Sequence, residues 1–264
     1  AIFQPAEEIC HGARDMIDAG ALDEIDAIIA LHVDPTRRTG VVGVRPGVLT
    51  ANCDDMRITI HGRGGHGARP HESKDPIAAA AQLISTLYQF VPRAADSQDA
   101  VVVSIGCIRG GESSNVIPEH VHLGGTLRTL AREIRQQAIE QIRTLSRGVE
   151  EITGTKIEVR FDVSIPSVYN DPVLTSLVSQ AADDLLGPNQ LELMPRPSMG
   201  SEDFAAYLER VPGTMFRLGC AGDSAPAPGL HTPAFDIDER CLAIGAKILA
   251  RTAMTWGGAA GGRQ

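Results

Sequence analysis

The sequence predicts an α/β protein with a mostly parallel sheet and flanking helices, interrupted by a ferredoxin-like βαββαβ domain. Strand and helix patterns alternate in residues 1–50 and again in residues 165–264, which is typical of one α/β domain. Between them, residues 51–164 show the element order βαββαβ of a split βαβ unit. A chain of 264 residues is long enough to fold around its own core without a disulfide or a metal ion.

Residues 1–50 begin with a strand–helix–strand pattern. The apolar run AIF (Ala1–Phe3) predicts the end of a buried strand, and ICHGARDMIDAG predicts a short helix that ends at Gly20. The run IDAIIALHV predicts the next buried strand. This βαβ pattern predicts parallel strands joined by a right-handed crossover.

Residues 51–164 contain the clearest periodic patterns of the chain. DDMRITIHG alternates as a strand, and DPIAAAAQLISTLYQFV predicts a helix with Asp75 as N-cap and Pro76 in its first turn. AVVVSIGCI and HVHLGGTLRTL predict two strands on either side of a glycine-rich loop. A long amphipathic helix and the alternating strand TKIEVRFDVSI complete the βαββαβ order.

Residues 165–264 return to α/β alternation. The predicted elements are the helix DPVLTSLVSQAADDLL, the strand TMFRLGC and the helix RCLAIGAKILARTAMTW. In the loop SMGSEDF, Ser201 is expected to be a helix N-cap, with Glu202 and Asp203 in the first turn. Capping alone explains these three residues, so Glu202 is left out of the expected catalytic set.

Composition and charge exclude several classes of function. The net charge is −9 and no long basic run is present, so nucleic acids and anionic membranes are not expected partners. No apolar stretch reaches the roughly 18 residues of a membrane span. The five cysteines are scattered without a CxxC pair, which favours a reducing compartment and therefore a cytoplasmic protein.

Four side chains are candidates for metal chemistry. Glu7 and Glu8 are adjacent at an expected strand end, where neighbouring side chains point to opposite sides and can take different roles. His32 ends the next predicted strand, and His231 lies in the loop GLHTPAF. Two carboxylates and two imidazoles at one sheet edge fit a zinc, manganese or cobalt hydrolase site. The alternatives are acidic residues in a first helical turn, a core histidine and a solvated loop histidine.

Seven motifs in matching order carry a family resemblance. They are FQPAEE, LHV, GRGGHGARPH, NVIPE, GTLRT, SMGSEDF and LHTPAFDIDE. Together they resemble the aminoacylase/carboxypeptidase family of two-metal peptidases over essentially the whole chain. The amidohydrolase branch, with hippurate hydrolases, indole-acetyl-amino-acid hydrolases and N-acyl-diaminopimelate deacetylases, is the most similar. The resemblance implies a catalytic α/β domain (1–50 and 165–264) interrupted by a ferredoxin-like dimerisation or lid domain (51–164).

The resemblance also implies roles for the candidate metal residues. Glu7 would be the general base that activates a metal-bound water and returns the proton to the leaving amine. Glu8, His32 and His231 would be metal ligands. The family implies two divalent ions per full-length subunit, with zinc, manganese or cobalt as the expected metals.

Three further residues receive roles from the same resemblance, and Gly200 receives one from its lack of a side chain. His66 would reach the active site of the partner subunit and stabilise the tetrahedral oxyanion. Asn115 and Arg128 would hold the substrate carboxylate, a task that suits the bidentate guanidinium group. Gly200 would let the substrate approach the backbone closely. The alternatives are a turn histidine, a loop-end asparagine and a strand-surface arginine.

The chain departs from the family pattern at two places. The Gly-Cys-Gly-His-Asp stretch that supplies a Cys and a His ligand upstream of the paired glutamates is missing from the sequence. We therefore expect an N-terminally truncated fragment whose three ligands suffice for one weak metal site, with weak or no activity. In addition, Cys10 and His11 stand where the family usually has glycines. A substitution at a helix start explains them more simply than an added ligand pair.

The expected function is hydrolysis of the amide bond of N-acyl amino acids or short peptides by a homodimer that forms through residues 51–164. One alternative is a dipeptidase or carboxypeptidase of the same family. The other is a non-catalytic dimerisation or binding module without a complete metal site. The acyl group and the preferred amino acid depend on pocket walls that the sequence does not locate.

Overall fold

The structure is a computed structural model that describes residues 1–223 and 226–261. The chain folds as two compact units. The first unit contains Ala1–Thr50, Val168–Ser198 and the described residues from Glu202 onward. The second unit contains Ala51–Ser167 and Met199–Ser201. Within the described residues, no helix combines the length and the apolar character that crossing a membrane requires.

The described residues form twelve strands and six α-helices. The strands are β1 (Ile28–Asp34), β2 (Val42–Val44), β3 (Gly47–Val48), β4 (Asn52–His61), β5 (Gly65–His66), β6 (Val101–Arg109), β7 (Val116–Ile117), β8 (His120–Thr129), β9 (Lys156–Ile165), β10 (Tyr169–Asn170), β11 (Leu191–Leu193) and β12 (Gly213–Gly219). The helices are α1 (Gly12–Asp18), α2 (Pro76–Phe90), α3 (Arg132–Thr153), α4 (Pro172–Leu186), α5 (Ala205–Leu208) and α6 (Arg240–Gly261).

The first unit is built on a four-stranded mixed sheet with the order β1-β12-β2-β11. The pairs β1–β12 and β2–β11 are parallel, whereas β12 and β2 are antiparallel. Helices α4 and α6 pack against each other and against the sheet. Their shared core includes Val42, Phe216, Leu218 and Ile248, each at most 1% exposed. The central strand β12 is buried almost throughout, as expected for a strand covered on both faces.

The predicted first strand, AIF, is not a strand. Ala1–Phe3 pairs with no strand among the described residues, and the Phe3 side chain is 89% exposed. A strand is stabilised by a hydrogen-bonded neighbour and by burial of one face, and this segment has neither. The helix that follows is present as α1, and the second predicted strand is present as β1.

The second unit is built on an antiparallel sheet with the order β6-β8-β4-β9. Along the chain its main elements follow the order β4, α2, β6, β8, α3, β9, which is a split βαβ arrangement. Strand β4 alternates between buried Met56, Ile58 and Ile60 and more exposed residues on the other face. The buried face packs against α2 and α3, so that one apolar core lies between the sheet and these two helices.

Local capping explains where the helices of the second unit begin and end. The Asp75 side chain accepts hydrogen bonds from the amides of Ile77 and Ala78, and Pro76 occupies the first turn of α2. Helix α3 ends at Gly154, whose φ of 65° lies in the left-handed region that favours glycine. The predicted Asp75 cap is therefore present.

A buried ion pair joins β4 to α3 within the second unit. The Asp54 carboxylate is fully buried and accepts hydrogen bonds from Nε and Nη2 of Arg135 at 2.7 and 2.6 Å. Asn52 Nδ2 donates to the same carboxylate at 3.1 Å, and Thr129 donates to Asn52. This arrangement satisfies a charge whose burial alone would be very costly.

Candidate active site

The paired glutamates lie in a 3₁₀ turn, Glu7–Ile9, and not at the end of a strand. The flanking residues Ala6 and Cys10 both have φ values of 59°, a left-handed conformation that is uncommon for residues with a side chain. The chain is also tightly packed here, because a Cβ on Gly12 would meet the Pro5 carbonyl oxygen at 1.7 Å. The turn therefore has a specific and strained backbone, which is common at functional sites.

Glu7 belongs to a cluster of three carboxylates. Ligand atoms of Glu7, Glu202 and Asp203 all lie within 4.8 Å of one another. Glu202 and Asp203 are only 6% and 3% exposed. Both carboxylates belong to the first unit and are far from Glu7 in sequence, so the fold brings them to the turn.

Asp203 anchors the beginning of the chain. Gln4 Nε2 donates hydrogen bonds to both of its carboxylate oxygens, at 2.7 and 2.9 Å. The backbone amide of Ala13 donates to the same carboxylate at 3.0 Å. Asp203 thereby holds the segments on both sides of the Glu7 turn and fixes where the paired glutamates lie.

The expected role of SMGSEDF as a helix cap is wrong. Helix α5 begins after Phe204 and has no side-chain cap, so Ser201 does not cap it. Glu202 and Asp203 are buried beside Glu7 and do not lie in an exposed first turn. The capping interpretation used local spacing alone, whereas the partners of these carboxylates are about 190 to 199 positions away.

Burial and mutual repulsion favour the protonated forms of two of these carboxylates. Burial, with a further contribution from Glu7, raises the pKa of Glu202 to about 7. Burial, followed by repulsion from Asp203 and Glu8, raises the pKa of Glu7 as well. A hydrogen bond between Glu202 and Glu7 opposes part of this rise at Glu7. The pair can therefore hold a proton close to neutral pH, as a general acid–base group must.

His32 lies within β1, opposite Arg217 of β12. Its Nδ1 is 2.7 Å from the carbonyl oxygen of Val33, and since a carbonyl can only accept, Nδ1 carries the proton. Burial, and next the Arg217 guanidinium, lower the pKa of His32. The neutral imidazole therefore presents an Nε2 lone pair, which is the state that a metal ligand requires.

Glu8 and His231 are neighbours in the first unit. His231 Nδ1 lies 3.5 Å from Glu8 Oε1, and both side chains are largely exposed. His231 has a φ of 60°, so its loop also has an uncommon backbone conformation. Glu8 is close enough to His32 to influence its pKa. Among the described residues, however, only the Glu7, Glu202 and Asp203 cluster has three ligand atoms within 4.8 Å.

His66 and Asn115 lie together in the second unit. β5, which contains His66, pairs with β7 directly after Asn115, and the Gly67 amide donates to the Asn115 carbonyl at 2.8 Å. Both residues line an open groove of about 480 Å³. The His66 Nδ1 accepts a hydrogen bond from the Ala68 amide at 3.1 Å. Its Nε2 therefore carries the proton and can donate to a ligand.

Arg128 and Gly200 also lie in the second unit. Arg128 projects from β8, and its Nη1 donates to the carbonyl oxygen of Met199 at 2.9 Å. The Gly200 carbonyl accepts a hydrogen bond from the Ala51 amide at 3.0 Å. The backbone at 199–201 is thus held beside β4 and β8 of the same unit, and Arg128 stabilises this position.

One protein family matches almost the whole chain. The profile of "Peptidase family M20/M25/M40" matches residues 1–255. N-acetylcysteine deacetylase of Bacillus subtilis is 39% identical over 96% of this chain and 65% of its own length. Thermostable carboxypeptidase 1 of Saccharolobus solfataricus is 33% identical over 93% of this chain and 62% of its own length. The chain thus spans less than two thirds of these relatives.

A solved structure has the same fold. It is the Bacillus subtilis YXEP protein, described as a dinuclear metal-binding peptidase from the M20 family. The two proteins superpose with a TM-score of 0.80 and 36% sequence identity, over 96% of this chain and 63% of the other. The similarity covers both units of the described chain.

Proposed function

Because this chain belongs to peptidase family M20/M25/M40, we propose that it acts as a metal-dependent amidohydrolase on N-acyl amino acids. The reaction would release a carboxylate and a free amino acid. The observation that carries the proposal is the Glu7–Glu8 turn. One carboxylate of this turn shares a buried cluster with Glu202, and the other lies 3.5 Å from His231. Glu7 and Glu8 therefore lie in two different environments, as expected if one is a general base and the other a metal ligand.

The side chains present fit a divalent metal ion. Glu8, His32 and His231 offer one carboxylate and two imidazoles, a ligand set used by zinc hydrolases. The Val33 carbonyl fixes the His32 tautomer in the manner of outer-shell partners of metal-binding histidines. We assign these three residues as ligands, with zinc, manganese or cobalt as the ion. Such an ion supplies Lewis acidity that activates water and polarises the amide carbonyl.

We assign proton transfer to Glu7. Its raised pKa brings the carboxylate closer to the basicity that a general base needs near neutral pH. Glu7 would take a proton from the attacking water and give it to the nitrogen of the leaving amino acid. Glu202 would tune this group through their hydrogen bond, because a protonated Glu202 favours an ionised Glu7.

The remaining assignments concern substrate binding and assembly. We assign Asn115 and Arg128 to binding of the substrate carboxylate, and Gly200 to close approach of the substrate to the backbone. We assign His66 to the oxyanion in the site of a partner subunit. The proton on His66 Nε2 supports a donor role. We further propose that residues 51–164 act as the dimerisation or lid domain of a cytoplasmic homodimer. The edge strand β6 has exposed apolar side chains, such as Ile108, which is 60% exposed. These side chains support the proposal that a second subunit covers this edge.

The likeness to a carboxypeptidase supports one alternative, a peptidase of the same family. A comparison of two substrates separates the two reactions. N-acetyl-L-amino acids and dipeptides with the same C-terminal residue would be incubated with the chain and zinc, manganese or cobalt. Release of free amino acid would then be measured. We expect hydrolysis with preference for the N-acetyl compounds, because the relatives of this chain include an N-acetylcysteine deacetylase.

The other possible outcomes would favour the peptidase or the non-catalytic binding module. Faster cleavage of the dipeptides would favour the peptidase. If the chain binds metal and N-acyl amino acids but releases no product from either substrate, the non-catalytic binding module replaces the amidohydrolase. Arg128→Lys is a useful companion variant. Lysine keeps the positive charge but lacks the guanidinium that would bind the substrate carboxylate with two hydrogen bonds.

A further inference from the structure

The outer face of the second unit's sheet carries a histidine patch, defined here as His61, His120 and His122. This face is opposite α2 and α3, and all three side chains are exposed. His61 lies at the end of β4, and the other two lie two residues apart on the neighbouring strand β8. None of them has a role in the proposed hydrolysis. Three imidazoles on one face of two paired strands are a set of nitrogen ligands that could serve a metal ion.

The strand register brings the three side chains together. His61 pairs directly with His120, and His122 pairs with Thr59, two residues further along the same face of β4. Directly opposed residues in an antiparallel pair have Cβ atoms about 4.5–5.5 Å apart, and diagonal neighbours about 7–8 Å. The rings of His120 and His122 have centroids 5.2 Å apart. One ion between the strands is therefore within reach of all three imidazoles.

Two contacts favour cation binding at the histidine patch. The Glu158 carboxylate of β9 lies 3.7 Å from His61 Nε2, which places an oxygen ligand beside the imidazoles. His122 Nδ1 is 3.2 Å from the Thr59 hydroxyl, which leaves Nε2 of His122 for a ligand. In the conformation described, the three ring nitrogens do not converge within 4.8 Å. Since the side chains are exposed, their rotation is fast and needs no backbone movement.

The charges around the patch are compatible with a bound cation. The Arg57 guanidinium on β4 pairs with Asp162 at 2.8 Å, and Arg160 pairs with Glu158 at 3.3 Å. These arginines are partly neutralised by their own carboxylates. Arg109 on β6 lies opposite His122, so one further positive charge borders the patch.

We propose that the histidine patch binds one divalent transition-metal ion through His61, His120 and His122, with Glu158 as the fourth ligand. Three histidines and one oxygen suit tetrahedral zinc, and imidazole ligands also suit copper and nickel. Ligands from β4, β8 and β9 would join three neighbouring strands of one sheet. The ion would be structural and separate from the proposed catalytic metal, since every ligand lies in the second unit.

Calorimetric titration of zinc into the full chain tests this inference. The double variant His120→Asn/His122→Asn is expected to bind one zinc ion fewer per chain than the parent. His61→Asn, on the other strand, is expected to lose the same binding event. The matched control is His71→Asn, because His71 is an exposed histidine of the same unit outside the patch. Circular dichroism spectra would verify that the variants are folded.

The outcomes separate the patch from other zinc sites. Loss of one event in both patch variants, with the parent stoichiometry kept in the control, supports the site. An unchanged stoichiometry in either patch variant, in a folded protein, overturns it. Equal loss in His71→Asn would assign the zinc to nonspecific surface histidines and would also overturn it.

Discussion

Replacing Glu7 by glutamine is expected to lower the rate of N-acyl amino acid hydrolysis about 10²–10⁴-fold, the usual contribution of a general acid–base group. Glutamine keeps the size of the side chain and its hydrogen bonding but cannot accept the proton. Initial rates of amino acid release at saturating metal would give the effect. Metal binding should be retained, because the assigned ligands are Glu8, His32 and His231.

A matched control makes the Glu7 result specific. Glu209→Gln removes one carboxylate from an exposed position of the same unit and should leave the rate within experimental error. If Glu7→Gln retains the parent rate while it binds the metal normally, Glu7 is not the general base. A loss of both metal binding and activity would instead make Glu7 a ligand.

Replacing Arg135 by alanine is expected to destabilise the second unit by about 3–5 kcal/mol, because it leaves a buried carboxylate without its partner. Asp54 is fully buried and accepts two hydrogen bonds from this guanidinium. Denaturant unfolding followed by circular dichroism would measure the change in the free energy of unfolding. The effect should be largest in transitions that report on residues 51–167.

The control for Arg135 lies on the same helix. Arg147 pairs with Glu140 at 3.2 Å, but both side chains are more than half exposed. Arg147→Ala is therefore expected to change the free energy of unfolding by about 0–1 kcal/mol. Equal effects of the two substitutions would show that the buried pair contributes no more than a surface pair.

Local sequence patterns were sufficient for much of the second unit. The Asp75 cap and Pro76 predicted the start of α2, and strict alternation predicted β4 and β9. These features depend on neighbours in sequence, through capping bonds and the two-residue period of a strand. They were therefore readable without knowledge of the tertiary structure.

Features that depend on distant partners were not predictable in the same way. Local spacing indicated a helix start at Glu202 and Asp203, whereas Gln4, Glu7 and Ala13 are their neighbours in the fold. Nothing in the run TMFRLGC indicates that Arg217 pairs opposite His32. The sequence contains one signal for this site. Glu202 and Asp203 are adjacent acidic residues before a short apolar segment, and such residues can have partners other than the amides of a helix start.

Strand direction and register account for the other differences between the predicted and the observed fold. The sequence predicted a mostly parallel sheet, but the first unit is mixed because β2 pairs antiparallel to β12. Likewise, the histidine patch becomes visible only when His61 is placed opposite His120. The two-residue period fixes which face of a sheet a side chain lies on, but it does not specify which strands become neighbours or in which direction they run.

A zinc titration of the parent chain and of His32→Gln would show whether the assigned catalytic metal centre exists. His32 is the assigned ligand whose tautomer and neutral state are fixed by the fold. We predict that His32→Gln loses one zinc-binding event, distinct from the event lost in the patch variants. Identical titrations of the two folded proteins would contradict the assigned metal centre, and with it the proposed hydrolytic role of the Glu7–Glu8 turn.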